Sequence, residues 1–429
     1  MSSIDATLQT GYLPLRKVAA VGIGNALEFY DFLTYSFFSI QIGHTFFPVE
    51  HFSNSLLSSL ATFGIGFVTR PLGGFVIGRY GDRAGRKPAM LLSFSLMGFA
   101  ITGLALTPSY AQIGMAGPIL LVLFRLLQGF ALGGEVGPST AYLIEAAPPD
   151  RRGIYVALQF ATQDVAVLAA GLIGFALSSL LSPDALDDWG WRAAFLIGVA
   201  VVPVGLMIRR RLPETHEASD GPSGEAVPLR LVGLGLALLA SGTIGSYVID
   251  YMTTYGQDSL HIPTNLAFGA TIATGLFSIC FGPIAGILSD RFGRRPVSLI
   301  AGVILLLVVM PAFVMVTELR SALALYGLAA GLSMVHAFYA NPVLIALAEG
   351  LPKSMRSGAL ALLYAVSIAI FGGSAQFVVR WLIGVTGSPL APGWYMTGAL
   401  VIGVAARVLL HETAPPAAGR SRWTRPISR

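Results

Sequence analysis

Two carboxylates three positions apart, Glu28 and Asp31, fall inside an apolar run that starts near Val18. An ionisable side chain in such a run costs about 2.5–3.5 kcal/mol or more to place in lipid and marks a functional position by default. At helical spacing the two share a face, with Tyr35 one turn beyond Asp31. Carboxylates that close disfavour joint ionisation, which suits a proton carrier. The competing structural reading is a pair neutralised by a buried arginine. A second run, Arg125-Leu-Leu-Gln-Gly-Phe-Ala-Leu-Gly-Gly-Glu135, brings Arg125, Gln128, Leu132 and Glu135 onto one narrow helical arc. Glu135 joins the candidate proton sites. An arginine keeps its charge and forks onto carboxylates, so Arg125 is a candidate anion ligand; the alternative is a permanent partner of Glu28 or Asp31. Arg70, just before a proline, either binds substrate or pairs with an acid of the first run.

The other candidates are polar. Gln159, Thr162 and Gln163 share one face, from which Asp164 turns away by about 100°. Tyr247, Asp250, Tyr251, Thr254, Tyr255 and Asp258 follow helical spacing along one stripe, as the wall of a water-filled chamber would. An interfacial aromatic belt is the alternative for Tyr255 and Asp258, but not for Tyr247. His336 and Tyr339 precede Asn341-Pro342, where the proline is expected to free a carbonyl and break the helix. His336 is an anion ligand or proton relay, or else a satisfied polar group. Tyr364, Ser367 and Ser374 share a side of a later run, and Arg380 near its end is placed to snorkel.

Membrane helices must position these groups. The 429 residues are 54% hydrophobic and only 11% charged, against about 25% charged in a soluble domain, and mean hydropathy is +0.72. Spans are read at roughly 18–40, 54–78, 88–107, 116–146, 154–181, 191–211, 230–260, 264–289, 296–317, 321–350, 357–385 and 392–411. The runs do not alternate polar and apolar, which argues against a β-barrel. The expected organisation is a six-helix bundle over 1–211, a mobile linker over 212–229, a second bundle over 230–411 and a basic tail over 412–429. Most of the 27 Lys and Arg residues lie on one set of alternating loops and tails. The positive-inside rule then puts both termini in the cytoplasm, in a bacterial inner membrane. This distribution also argues against nucleic acid as the reason for a pI near 9.4. The first apolar run is itself a span, so no cleavable signal is expected. The one cysteine, Cys280, leaves no internal disulfide and no all-cysteine metal site. Six scattered histidines show no metal or catalytic spacing within a span, so neither an enzyme, a metal nor a cofactor is expected.

A charged connector occurs twice. Gly78 to Lys87 reads Gly-Arg-Tyr-Gly-Asp-Arg-Ala-Gly-Arg-Lys, and Gly286 to Arg295 reads Gly-Ile-Leu-Ser-Asp-Arg-Phe-Gly-Arg-Arg. Glu145 to Gly153 parallels Glu349 to Gly358, Gly190-Trp191 parallels Gly393-Trp394, and Pro213-Glu-Thr215 parallels His411-Glu-Thr413. Offsets of about 200 residues mark a duplicated membrane protein. The pattern G-x-x-x-D-R-x-G-R-[KR] resembles the loop between helices 2 and 3 of the major facilitator superfamily, repeated between helices 8 and 9. The resemblance implies an all-α fold of twelve transmembrane helices in two pseudo-symmetric six-helix bundles, and a monomer. It also implies that Asp82 and Asp290 anchor charge networks. Their partners would be the loop arginines (Arg83, Arg86, Arg291 and Arg294) and helix N-termini of the other half, in a clasp that gates one face.

The helix-4 run, Gly24-Asn-Ala-Leu-Glu28 through Asp31-Phe32, and Thr69-Arg-Pro-Leu-Gly-Gly74 resemble the metabolite:proton symporter branch. Ala369-Ile-Phe-Gly-Gly373, Ser388 through Trp394, and Tyr255-Gly256 resemble citrate and tricarballylate proton symporters within it. Thr34-Tyr-Ser36 and Gln163-Asp164 depart from that pattern, the latter standing where two glutamines are expected. The expectation is a proton-coupled importer of a small organic anion, a citrate-like tri- or dicarboxylate. Arg125, Arg70, Gln163, Tyr35, Tyr247, Tyr251, Tyr255, His336 and Asn341 would hold it, and Glu28, Asp31 and Glu135 would carry protons. A symporter of a zwitterion such as proline or betaine, or an uncoupled uniporter or exchanger, is the alternative.

Overall fold

Hydrocarbon offers no partner to a backbone N–H or C=O, so apolar runs of this length must bond internally as helix. The computed structural model describes residues 26, 29–51, 54–133, 151–210, 228–351 and 356–414; at 81–82, 86–87, 201, 204–205, 207–210, 356–358 and 361 it describes the backbone alone. The chain runs through α1 (29–46, with a turn at Phe38) and α2 (Ser55–Ile65 and Arg70–Ala84). Next come α3 (Arg86–Leu106), α4 (Ala116–Leu132), α5 (Arg152–Leu180) and α6 (Trp191–Arg210). After the segment 211–227 follow α7 (Leu229–Asp250), α8 (Thr264–Phe292), α9 (Arg294–Leu319) and α10 (Ala322–Gly350). The last two are α11 (Arg356–Ser367 continued by Gly373–Thr386) and α12 (Ala391–Leu409). Among the described residues, nine helices are long and apolar enough to cross a membrane, and Ala116–Leu132 is a shorter apolar one. The protein is a multi-span membrane protein with an all-α, twelve-helix fold. Large apolar side chains such as Ile300, Leu307 and Met315 of α9 project outward, where a soluble protein would carry charge.

The duplication is visible in the backbone. Gly85 opens α3 with φ 103° and ψ 153°, and Gly293 opens α9 with φ 105° and ψ 157°. Side chains rarely tolerate that region, so both copies of the connector need glycine there. The bundles meet along α5 and α8, which pack antiparallel over their whole length. Gly153 faces Gly286 at the end carrying the basic loops, and Gly174 faces Phe268 at the other.

Three helices differ from expectation. α10 runs unbroken through Pro342, because close packing of the residues around it compensates for one lost hydrogen bond. α7 ends at Asp250 and restarts as Met252–Asp258 after a turn at Tyr251, so the polar stripe changes phase halfway. α11 contains a π-helical turn, Ile368–Gly372, between its two parts.

Candidate functional site

A cavity of about 170 Å³ lies between the bundles. Its wall takes Phe29 and Leu33 from α1, and Gln163 and Asp164 from α5. α7 supplies Thr243, Ser246, Tyr247 and Asp250; α10 supplies His336 and Asn341; α11 supplies Tyr364. Among the described residues, no lysine or arginine lines it. His336 places Nε2 3.0 Å from the Gly242 carbonyl, and Asn341 donates from Nδ2 to the Gly282 carbonyl at 3.4 Å. Four of the expected ligands, Gln163, Tyr247, His336 and Asn341, do meet on this wall. Asp164 meets them too. Its direction, expected to diverge from the Gln163 face, is corrected by the width of the cavity, which admits neighbours 100° apart on one helix.

Arg125 does not line the cavity. It is fully buried and donates from Nη1 to Gln128 Oε1 at 2.7 Å and from Nη2 to the Phe63 carbonyl at 3.2 Å. Gln128 in turn donates from Nε2 to Asp31 Oδ2 at 2.8 Å. The guanidinium lies 4.4 Å from the Tyr35 ring centroid and 5.0 Å from that of Phe32, within the range of cation–π attraction. Its fork is therefore spent inside the protein. α2 reaches α4 closely enough for this because α4 has Gly129 where a Cβ would collide with the Gly66 carbonyl, and Thr69 Oγ1 donates to the Leu126 carbonyl at 2.6 Å. Asp31, only 1% exposed, belongs to this cage and not to the cavity. Arg70 sits one ring behind the wall: its guanidinium is 4.2 Å from the Phe67 centroid, and Phe67 meets Tyr247 at 5.8 Å.

Three tyrosines expected on the cavity are elsewhere. Tyr35 is buried, with its ring under Arg125 and its hydroxyl donating to the Ser59 carbonyl at 3.3 Å. Tyr251 and Tyr255 are buried in the apolar core of the second bundle, and Tyr255 donates to the Pro389 carbonyl at 2.9 Å. The turn at Tyr251 rotates both off the Tyr247 face. Ser367 and Ser374 likewise do not line the cavity beside Tyr364. Arg380, placed by sequence for snorkelling, pairs with Asp258 at 2.9 Å. Glu28 and Glu135 lie outside the described residues, as do the side chains of Asp82 and Arg86.

At the basic end, Asp290 of α8 accepts from the backbone N–H of Gly153 at 2.8 Å and of Ile154 at 3.0 Å, the first turn of α5 in the other bundle. Arg294 pairs with Asp290 at 2.5 Å and with Glu349 at 3.3 Å, and Arg152 reaches Glu349 at 3.6 Å. Glu412, missed from sequence, accepts from the N–H groups of Arg294 at 3.0 Å and Arg295 at 2.8 Å, capping α9. Burial alone would raise its carboxyl, but those N–H groups and that of Ala414 hold it below the usual carboxylate range. Arg291 and Arg83, both expected in the clasp, are exposed; Arg291 lies over the Phe292 ring. Asp290→Asn should leave the fold intact and slow transport by about 10- to 100-fold, since charged hydrogen bonds contribute about 1.5–3 kcal/mol. An unchanged transport rate would remove the clasp from the cycle.

The opposite end is also in contact. Ser36 and Gln376 exchange hydrogen bonds at 2.9 and 2.6 Å, and Ser39 meets Thr254 at 3.3 Å. Beyond the expected first span, His44 Nδ1 lies 2.8 Å from Asp187 Oδ2. Its pKa is raised above 6.5, chiefly by that hydrogen bond and against partial burial. The stabilisation is thus complete below the free imidazole value and is lost as pH rises through the raised one. His44→Gln should lower the melting temperature by about 1–2 °C at pH 6 and by nothing at pH 9. An equal loss at both pH values would mean that the contact is not ionic.

The family model described as Major Facilitator Superfamily matches residues 23–280, and that described as Sugar (and other) transporter matches residues 229–413. The chain is 34% identical to the citrate-proton symporter of Klebsiella pneumoniae over 415 residues, 94% of each chain. It is 34% identical to the alpha-ketoglutarate permease of Escherichia coli (strain K12) over 418 residues, 95% of this chain and 96% of the other. A solved proton:xylose symporter bound to 6-bromo-6-deoxy-D-glucose superposes with a TM-score of 0.76 at 18% identity, covering 92% of this chain and 95% of that one. That likeness speaks for the fold alone.

Proposed function

Because the chain belongs to the major facilitator superfamily, and is therefore a membrane transporter and not an enzyme, we propose that it is a proton-coupled symporter that imports a small organic acid by alternating access. The basic end would face the cytoplasm, with both termini there, in a bacterial inner membrane. The two bundles, split near 212–229, would rock about the cavity. The observation that carries this reading is the cavity wall itself. Its ionisable groups among the described residues are acids, a histidine and two tyrosines, while two guanidinium groups stand one ring behind it, Arg70 over Phe67 and Arg125 at 5.3 Å from Phe63, both rings packed on Tyr247. With the acids neutralised by protons, a fixed positive field reaches the chamber and favours a carboxylate. With the acids ionised, that field is cancelled and the anion is refused. Gln163, Asn341, His336 and Tyr364 supply hydrogen bonds that would orient the substrate. The relatives named for citrate and alpha-ketoglutarate support an organic acid.

In liposomes, external citrate or 2-oxoglutarate should alkalinise the outside medium as it enters; movement of substrate without alkalinisation overturns symport. That no lysine or arginine among the described residues lines the cavity favours one second reading, a zwitterion whose ammonium meets Asp164 or Asp250. In a thermal-shift screen on purified protein, stabilisation by proline or betaine but by no carboxylate would decide for it, because a bound ligand raises the midpoint by mass action.

A further inference from the structure

Two carboxylates face the cavity from opposite bundles, Asp164 on α5 and Asp250 on α7. Both are only half-buried, with the cavity in front of them, and the charge of Asp250 bears on Asp164. The polar groups sharing the wall with them are Gln163 on α5, Thr243, Ser246 and Tyr247 on α7, Thr274 and Ser278 on α8, Ser333, His336 and Asn341 on α10, and Tyr364 on α11. None of these is a permanent cation. Arg70 and Arg125 stand behind aromatic rings, and Arg125 is already committed to Gln128 and Phe63. Asp31, by contrast, is held by Gln128 in a sealed cage.

We infer that Asp164 and Asp250 form the proton-loading pair of the transport cycle, one carboxylate contributed by each bundle. This rests on the symport reading above. A chamber closed at both ends cannot cheaply hold two carboxylates and an anionic substrate together, since each uncompensated charge has left water. Closure around the substrate therefore requires protons on the pair. Opening moves the bundles apart, and with them the two acids. Their mutual repulsion falls, water enters, and the protons leave on the side that has opened. Each aspartate takes up one proton on one face and releases it on the other, with no group between them consumed.

The test compares Asp164→Asn, Asp250→Asn and the double variant in liposomes loaded with radiolabelled citrate or 2-oxoglutarate. Two readouts are taken: exchange of labelled for unlabelled substrate, which needs no proton release, and accumulation driven by an imposed pH gradient. The Asn variants should still exchange substrate. Each coupled proton lost removes about a tenfold factor of accumulation per pH unit of gradient, and the double variant should carry substrate with no alkalinisation. A double variant that alkalinises the medium per substrate as wild type does overturns the inference. Should an Asn variant fail to fold, Asp164→Glu and Asp250→Glu take its place. They keep a titratable group, so coupling should persist with a displaced pH profile, and a wild-type profile in both counts against the pair. Asp31→Asn, whatever its rate, should keep the wild-type ratio of protons to substrate; loss of alkalinisation there but not in the double variant would return the role to α1. Absence of alkalinisation in wild type would sink symport itself, and is read first.

Discussion

Replacing Gly64 by tryptophan will hold the end of the protein opposite the basic loops open and stop transport. Gly64 of α2 meets Gly373 of α11 so closely that even a Cβ would run into the Gly373 carbonyl. The obstacle is backbone, so no side chain can swing away. Gly373 follows the π turn Ile368–Gly372, and such turns commonly mark places where a helix must yield to function. Overpacking costs about 1–3 kcal/mol, which lowers the closed population by about 5- to 150-fold. The basic end has its own glycine contact: a Cβ on Gly153 would lie 2.5 Å from the Gly286 carbonyl. Gly153→Leu should act with opposite sense. With Ser246→Cys as a reporter on the cavity wall and Cys280→Ser removing the background thiol, Gly64→Trp should speed labelling from the end opposite the basic loops. Gly153→Leu should speed it from the basic end. If both variants label from the same side, the two contacts are not alternating gates.

The second large effect concerns Arg125. Arg125→Met should cost about 3–5 kcal/mol of stability, the usual result of removing one partner of a buried charge network. It strips Gln128 Oε1 and the Phe63 carbonyl of their donor and leaves Asp31 without a nearby guanidinium. Arg125→Lys should recover little, because an ammonium cannot fork to both acceptors while lying flat against Tyr35. Asp31→Asn in the Arg125→Met background should restore part of the loss, a non-additivity measurable by a double-mutant cycle in detergent. An Arg125→Met protein that melts like wild type but no longer binds carboxylate would restore the arginine as a direct ligand.

Membrane helices come through the residue order because lipid imposes a length and a polarity on every span. The connector repeats come through because their glycine sits at a backbone angle that other residues avoid, and in the second copy Asp290 meets a helix N-terminus. Site residues come through less evenly. Gln163, His336 and Asn341 can be picked out by polarity at mid-span, and they do line the chamber. Tyr251 and Tyr255 obey the same spacing as Tyr247, yet a single turn at Tyr251 sends them into the core. Glu412 shows no signal of its own beyond its repeat partner Glu214, since the N–H groups of α9 that it caps lie more than a hundred residues away.

Residue order alone determines that this chain crosses the membrane many times, that it is two copies of one design, and that it carries ionisable residues inside its apolar runs. Each of those follows from local rules: hydropathy, spacing and the cost of a charge in lipid. Which charges face the chamber is decided only when the helices assemble. Arg125 and Asp31 are turned inward to Gln128 and a ring cage, while Asp164 and Asp250, one from each bundle, line the chamber. Helical periodicity assigns a face, but the neighbour that covers it comes from distant parts of the chain, and the depth of a charge in the assembled protein has no local signature.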